Sequence, residues 1–344
     1  MKTIELKDIK ISGISACIPK NIKDIQDVRD LSEKDKNLFI KTTDIRYRRI
    51  IDSKETASDL CCYAAEKLLA GLGWEPHQVD VLIFISQTPD YITPFTASTL
   101  QDRLGISHNC ICFDINLGCS AYPLGFTTIG SILNNIPGGK GLLLIGDKMS
   151  HIVQESDKGT GLIFSDAGSA TALEVIPGQA SSWHHIYTDG SRYDNIIVKT
   201  GGTRNPSRQP YSSEITYDDF LYLNGINIFQ FALKDVAPSI LNLLASRNQS
   251  VDDIDYFIFH QANKIINETM RKNLKIPAEK FPSTLPIYGN TSSASIPITI
   301  VSQLGKKLNQ GSYSMLLSGF GVGLSWANSI IQFDHTFCLP IIEV

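Results

Sequence analysis

The sequence lacks a long hydrophobic run, an excess of positive charge and a regular cysteine framework. No run approaches the roughly 18 apolar residues that a bilayer span needs. The N-terminal Met1-Lys-Thr-Ile-Glu-Leu-Lys-Asp has no apolar core, which argues against a signal peptide. The formal net charge is -4, so no global basic field exists to hold nucleic acid. Seven cysteines are present: Cys17, Cys61, Cys62, Cys110, Cys112, Cys119 and Cys338. Their odd number and irregular spacing fit reduced thiols in a cytoplasm better than a disulfide scaffold. Cys110 and Cys112 form a C-x-C pair, but no second ligand pair accompanies it. No metal is expected there.

What is there is ordinary globular material. The 344 residues are 42% hydrophobic and 19% charged, enough for a large core. Short apolar runs at Val79–Ser86, Cys110–Ile115, Gly141–Ile145 and Ala170–Val175 read as strands covered on both faces. Helical patterns lie between them. One spans Ala57–Leu72, with Thr56 as N-cap and Gly73 as stop. Another runs from about Ser120 to Asn134. Strands alternating with helices predict an α/β fold with layered sheets.

The second half echoes the first. Val251–His260 resembles the run after Gln78, Ser314–Gly319 resembles Leu142–Gly146, and Gly323–Ile331 resembles Gly168–Val175. Three echoes in the same order point to one duplicated unit. The halves divide near residue 178, giving 1–178 and 179–344, packed as one body. Gly201–Pro210 reads as a surface loop. Residues 334–344 carry no pattern that assigns them.

Four segments can carry chemistry. Asn116-Leu-Gly-Cys-Ser-Ala-Tyr-Pro123 places Cys119 where a strand ends and an apolar helix starts. A helix N-terminus favours thiolate over thiol. A buried structural cysteine is the competing interpretation of the same segment. His260 closes the duplicate strand in Phe259-His-Gln-Ala-Asn263, and Asn290 lies in the small-residue stretch Tyr288–Ser295. Ser318-Gly-Phe-Gly-Val-Gly323 reads as a glycine-rich turn after a strand, able to aim a backbone N–H at an oxyanion. It lacks the G-x-G-x-x-G spacing of a dinucleotide site. Together the four are the parts of an acyl-transfer site.

At these motifs the sequence resembles the β-ketoacyl-acyl-carrier-protein synthase III family of the thiolase superfamily, from about Ile11 to Phe333. Lys158–Gly168 matches a further family segment. The resemblance implies a five-layered αβαβα fold and a homodimer. It implies an acyltransferase with Cys119 as nucleophile, assisted by His260 and Asn290. A primer acyl thioester loads Cys119. Malonyl-acyl-carrier protein then loses carbon dioxide and condenses, in fatty-acid or related polyketide biosynthesis. The backbone N–H groups of Cys119 and Val322 would bind the acyl oxyanion, with Phe320 and Gly321 beside them. Val322 stands where the family usually has Gly.

Other departures concern the substrate. The CoA-binding Trp and Arg of the family align with Leu38 and Thr42, and Lys158 replaces an Arg. Thr93 aligns with the Phe that trims the primer pocket across the dimer. A longer or carrier-bound primer is therefore expected in place of a short acyl-CoA. Two basic docking positions align with Gln230 and Ile265, leaving Lys264, Arg271 and Lys272 as a substitute patch for an acidic carrier protein. The alternatives are an acyltransferase that moves the Cys-bound group to an O, N or S acceptor without decarboxylation, and a silent acyl-binding partner subunit.

Overall fold

The computed structural model describes residues 2–206 and 217–344, so Ser207–Pro210 of the expected surface loop lie outside the described residues. Its main strands are β1 (Ile4–Leu6), β2 (Ile9–Ile18), β3 (Val81–Ile85), β4 (Ile111–Ile115), β5 (Lys140–Asp147), β6 (Ala167–Val175), β7 (Ser182–Thr188), β8 (Tyr256–Phe259), β9 (Ser312–Gly321), β10 (Ser325–Asp334), β11 (Phe337–Cys338) and β12 (Ile342–Glu343). They form a seven-stranded sheet, ordered β11-β2-β6-β5-β3-β4 with β12 also on β2, and a five-stranded sheet, β1-β7-β10-β9-β8. The run β2-β6-β5-β3 pairs antiparallel, antiparallel, parallel. The run β7-β10-β9-β8 repeats that pattern. This is the duplication the sequence echoes announced. The chain ends cross over: β1 joins the second sheet, while β11 and β12 join the first.

The main helices are α1 (Glu33–Thr43), α2 (Ala57–Leu72), α3 (Ala121–Leu133), α4 (Gly225–Ser246), α5 (Lys264–Asn273) and α6 (Ser295–Leu308). Strand alternation sorts side chains into layers. Val81, Ile83 and Ile85 of β3 face a central core with Phe126, Ile129, Ile300 and Leu304, so α3 and α6 lie between the sheets. Leu82 and Phe84 face the other way, onto α2. Phe257 and Phe259 of β8 pack outward onto α4 and α5. The result is a thiolase-like αβαβα arrangement. By length and composition alone, α4 could cross a membrane; its Ile228, Phe231, Val236, Ile240 and Leu243 are instead buried in the second outer core.

Local signals explain the boundaries. At α2 the Asp59 carboxylate accepts the Thr56 backbone N–H at 2.7 Å, and Gly73 ends the helix at φ 65°. One strand departs from expectation. β4, drawn from the Cys110–Ile115 run, is not covered on both faces, because it is the edge of its sheet and leaves Ile111 exposed. The tail without a sequence pattern supplies β11 and β12, added in parallel to β2.

Gly168 of β6 lets α2 approach the sheet. A Cβ there would lie 2.6 Å from the Cys61 N and the Leu60 Cβ. Gly168→Ala should cost about 1–3 kcal/mol in urea denaturation. Gly190→Ala, with nothing within 4 Å of the added carbon, should stay within about 0.5 kcal/mol.

Candidate active site

The chain leaves β4 and turns at Cys119 before α3 begins at Ala121. Cys119 thus precedes the helix instead of starting it. Strand β9 passes beside this turn. The glycines of Ser318–Gly323 are not chiefly a turn: β9 continues through Gly321, and only Val322–Leu324 reverse the chain. Their role is close approach. A Cβ on Gly319 would lie 2.7 Å from the Cys119 carbonyl oxygen, and one on Gly321 would lie 2.7 Å from the Cys119 Sγ.

The expected thiolate does not follow from the helix alone. Burial pushes the Cys119 thiol up to about 12, and the Asp147 carboxylate adds to the rise. The N–H groups of Val322 and of Cys119 itself, together with the Ser292 hydroxyl, oppose it. Desolvation is the largest of these influences.

His260 directly follows β8. Its Nδ1 lies 2.7 Å from the Ser295 Oγ. That oxygen also accepts the Gln261 backbone N–H at 3.3 Å, and the ring meets the Ser292 backbone as well. A serine hydroxyl donates to an imidazole nitrogen or accepts from its N–H, so this contact is compatible with either ring tautomer. Burial lowers the His260 pKa to about 3, so the ring is neutral. The Phe320 ring packs edge-on against it at 5.6 Å.

Asn290 follows Gly289, whose φ of 60° turns the chain. Its N–H donates to the Ile163 oxygen at 3.1 Å and its carbonyl accepts the Ser165 N–H at 2.9 Å. The Ser292 N–H donates to its Oδ1 at 2.9 Å, which assigns the amide: Nδ2 faces the Ala262 oxygen at 3.3 Å.

Cys119, His260 and Asn290 line one chamber of about 70 Å³, with Phe320, Gly321 and Val322 in its wall. Two further cavities share its lining. One of about 280 Å³, toward solvent, adds Thr42, Thr43, Ile226 and Ile265. The other, of about 520 Å³, shares Gln87, Ile196, Leu221 and Val322 with the chamber. Thr42 borders the outer cavity, and the other remaining candidates lie apart. Leu38 is 56% exposed on α1. Thr42 spends its hydroxyl on the Leu38 and Phe39 carbonyls of its own helix. Lys158 lines a separate cleft with Arg48 and Glu155. Thr93 is exposed and outside the chamber. The basic patch is largely neutralised: Lys264 pairs with Asp44 at 3.0 Å and Arg271 with Glu268 at 2.8 Å, leaving Lys272 exposed.

Sequence reasoning missed Gln87, Asp147, Ser292 and Ser295. The two serines lay inside a quoted motif without a role. Gln87 follows β3 as His260 follows β8, so the duplication was the signal that could have found it.

With this geometry in hand, comparison with known proteins is informative. A family profile described as "3-Oxoacyl-[acyl-carrier-protein (ACP)] synthase III" matches residues 113–190, and its C-terminal counterpart matches 244–333. The chain is similar to the β-ketoacyl-[acyl-carrier-protein] synthase III of Streptococcus uberis, 33% identical over 94% of this chain and 98% of that one. Its structure resembles a 3-oxoacyl-(acyl-carrier protein) synthase from Burkholderia xenovorans with a TM-score of 0.94 at 34% identity, covering 100% of this chain and 99% of that one. The fold is also that of the priming β-ketosynthase from the R1128 polyketide pathway, with a TM-score of 0.82 at 21% identity over 97% of this chain and 98% of that one.

Two outcomes follow from the site. Gly321→Ala should cut Cys119 acylation by roughly a hundredfold or more, because its methyl occupies the space of the sulfur; intact-mass time courses read the loss. His184 and His260 are both held near 3 against an ordinary 6.5. Between those values the unfolded chain binds more protons. Stability should therefore fall as pH drops from 6.5 toward 3, as read by thermal melts in a pH series.

Proposed function

The chain belongs to the β-ketoacyl-[acyl-carrier-protein] synthase III family, and we propose that it condenses an acyl group carried on Cys119 with malonyl-acyl-carrier protein. The observation that carries this is the convergence of Cys119 with His260 and Asn290 in one chamber, where an Nε2-protonated His260 and the Asn290 Nδ2–H would serve as donors. In the first step the sulfur attacks the primer thioester carbon. The N–H groups of Val322 and Cys119 receive the oxyanion. The leaving thiol departs with the cysteine proton. In this reading His260 holds its proton on Nε2 and acts as a donor, not as the base for this step.

Malonyl thioester then enters. Its carboxylate carbon–carbon bond breaks, carbon dioxide leaves, and the electron pair forms an enolate. His260 and Asn290 stabilise that enolate oxygen. The carbanion attacks the acyl carbon, and the Cys119 thiolate is expelled with the β-ketoacyl product. No metal or organic cofactor has a part in these steps.

The primer is proposed to be longer than acetyl or carrier-bound. Support comes from Leu38 and Thr42, which supply neither a stacking ring nor a guanidinium, and from the cavity of about 520 Å³ beyond Gln87. The partner is an acyl carrier protein, meeting an entrance edged by Ile226 and Ile265 more than by free basic groups. A homodimer is supported by the unpaired edge of β4, with Tyr91, Ile92 and Phe95 exposed on the segment before Thr96–Arg103. The compartment proposed is the cytoplasm, consistent with seven free thiols.

Acylation and decarboxylation separate the roles. Cys119→Ala should gain no mass from any acyl donor. His260→Ala and Asn290→Ala should still acylate but release carbon dioxide from malonyl-carrier protein roughly a hundredfold more slowly. Acylation of the native enzyme with no carbon dioxide release would contradict condensation and favour transfer to another acceptor.

A further inference from the structure

Gln87 belongs neither to the nucleophile nor to the oxyanion groups, yet it presses on the nucleophile loop. A Cβ on Gly118 would lie 2.5 Å from its amide. The fully buried Asp147 orients that amide. Asp147 Oδ1 accepts the Gln87 backbone N–H at 2.7 Å and the Ser86 hydroxyl at 3.1 Å. Its Oδ2 accepts the Ser293 N–H at 3.1 Å and Gln87 Nε2 at 3.3 Å. A carboxylate oxygen accepts, so the amide must turn its NH2 toward Asp147. The same Nε2 donates to the Ser292 Oγ at 3.0 Å. Its two hydrogens serve the shorter contacts, Asp147 and Ser292, with the Met149 Sδ further off at 3.9 Å. The Ser292 hydroxyl, already an acceptor, has its own hydrogen left to give. Ser292 shares the chamber wall with Cys119, and its hydroxyl acts to lower the thiol pKa.

We propose that Gln87 is a positioning residue which, anchored on Asp147, turns the Ser292 hydroxyl into a hydrogen-bond donor to the Cys119 sulfur. A hydroxyl donating to a thiolate is a charge-assisted bond, and it acts against both desolvation and the Asp147 charge. The two backbone N–H groups near the sulfur are needed by the acyl oxygen during reaction. The Ser292 hydroxyl is not, so it remains with the sulfur when the tetrahedral intermediate collapses and sulfur leaves as an anion. Ser292 is held for this by a left-handed backbone, φ 49°, and by its N–H bond to Asn290.

The proposal rests on Cys119 being the nucleophile, and the test separates the two. The full-length protein is alkylated with iodoacetamide across a pH series, and the label is mapped by peptide mass. Labelling of another cysteine in place of Cys119 in the native protein removes the nucleophile, and this assignment with it. With Cys119 labelled, Ser292→Ala and Gln87→Met should each move the half-rise upward by about one pH unit, with roughly tenfold slower labelling below it. The double variant should move it no further, since Gln87 acts through Ser292. Gln87→Glu keeps the shape, cannot donate when ionised, and should move the profile in the same direction. An unmoved profile in Ser292→Ala, or in every folded Gln87 variant, overturns the proposal. So do additive shifts in the double variant. A loss of melting temperature without a profile shift assigns Gln87 a structural role only.

Discussion

Removal of water from the meeting point of the two central helices is the constraint on which the site depends. Cys119 precedes α3 and Asn290 precedes α6, and the two connecting turns face each other across a chamber of about 70 Å³. In that setting a charge is costly and a directed N–H is strong. Burial holds His260 neutral and raises the Cys119 thiol, two shifts with opposite consequences for catalysis. The neutral imidazole keeps one ring N–H to donate. The thiol needs the surrounding donors to lower the cost of its anion.

The duplicated halves supply those donors from opposite directions. Each sheet delivers one strand end, β3 before Gln87 and β8 before His260, to the same level of the molecule. The second sheet adds β9, whose glycines bring backbone against the nucleophile. The Asn290 amide is oriented by the Ser292 N–H, which can only donate to its Oδ1, while the Ser295 hydroxyl meets both the His260 Nδ1 and the Gln261 N–H.

Much of this was legible in the sequence. Periodicity and caps located α2 to the residue, because Thr56, Asp59 and Gly73 act locally. Apolar runs located β3, β5 and β6, and three ordered echoes disclosed the duplication. The family motifs brought Cys119, His260 and Asn290 forward, and the fold gathers them. What was not legible depends on tertiary environment. Edge position decided that β4 is partly exposed. Desolvation raises the Cys119 thiol, a direction opposite to that of the local helix argument. Pairing with Asp44 and Glu268 discharged a patch that looked basic in one dimension. Gln87 lies 32 positions before Cys119, and no local pattern linked the two.

The central claim is that His260 works as a neutral Nε2–H donor. Nitrogen NMR of the histidine-labelled protein tests it directly, by following the His260 ring through a pH titration. The account predicts a single neutral tautomer, protonated on Nε2, that persists well below the ordinary histidine value of 6.5. A His260 ring that titrates near 6.5, or one that carries its proton on Nδ1, would contradict it.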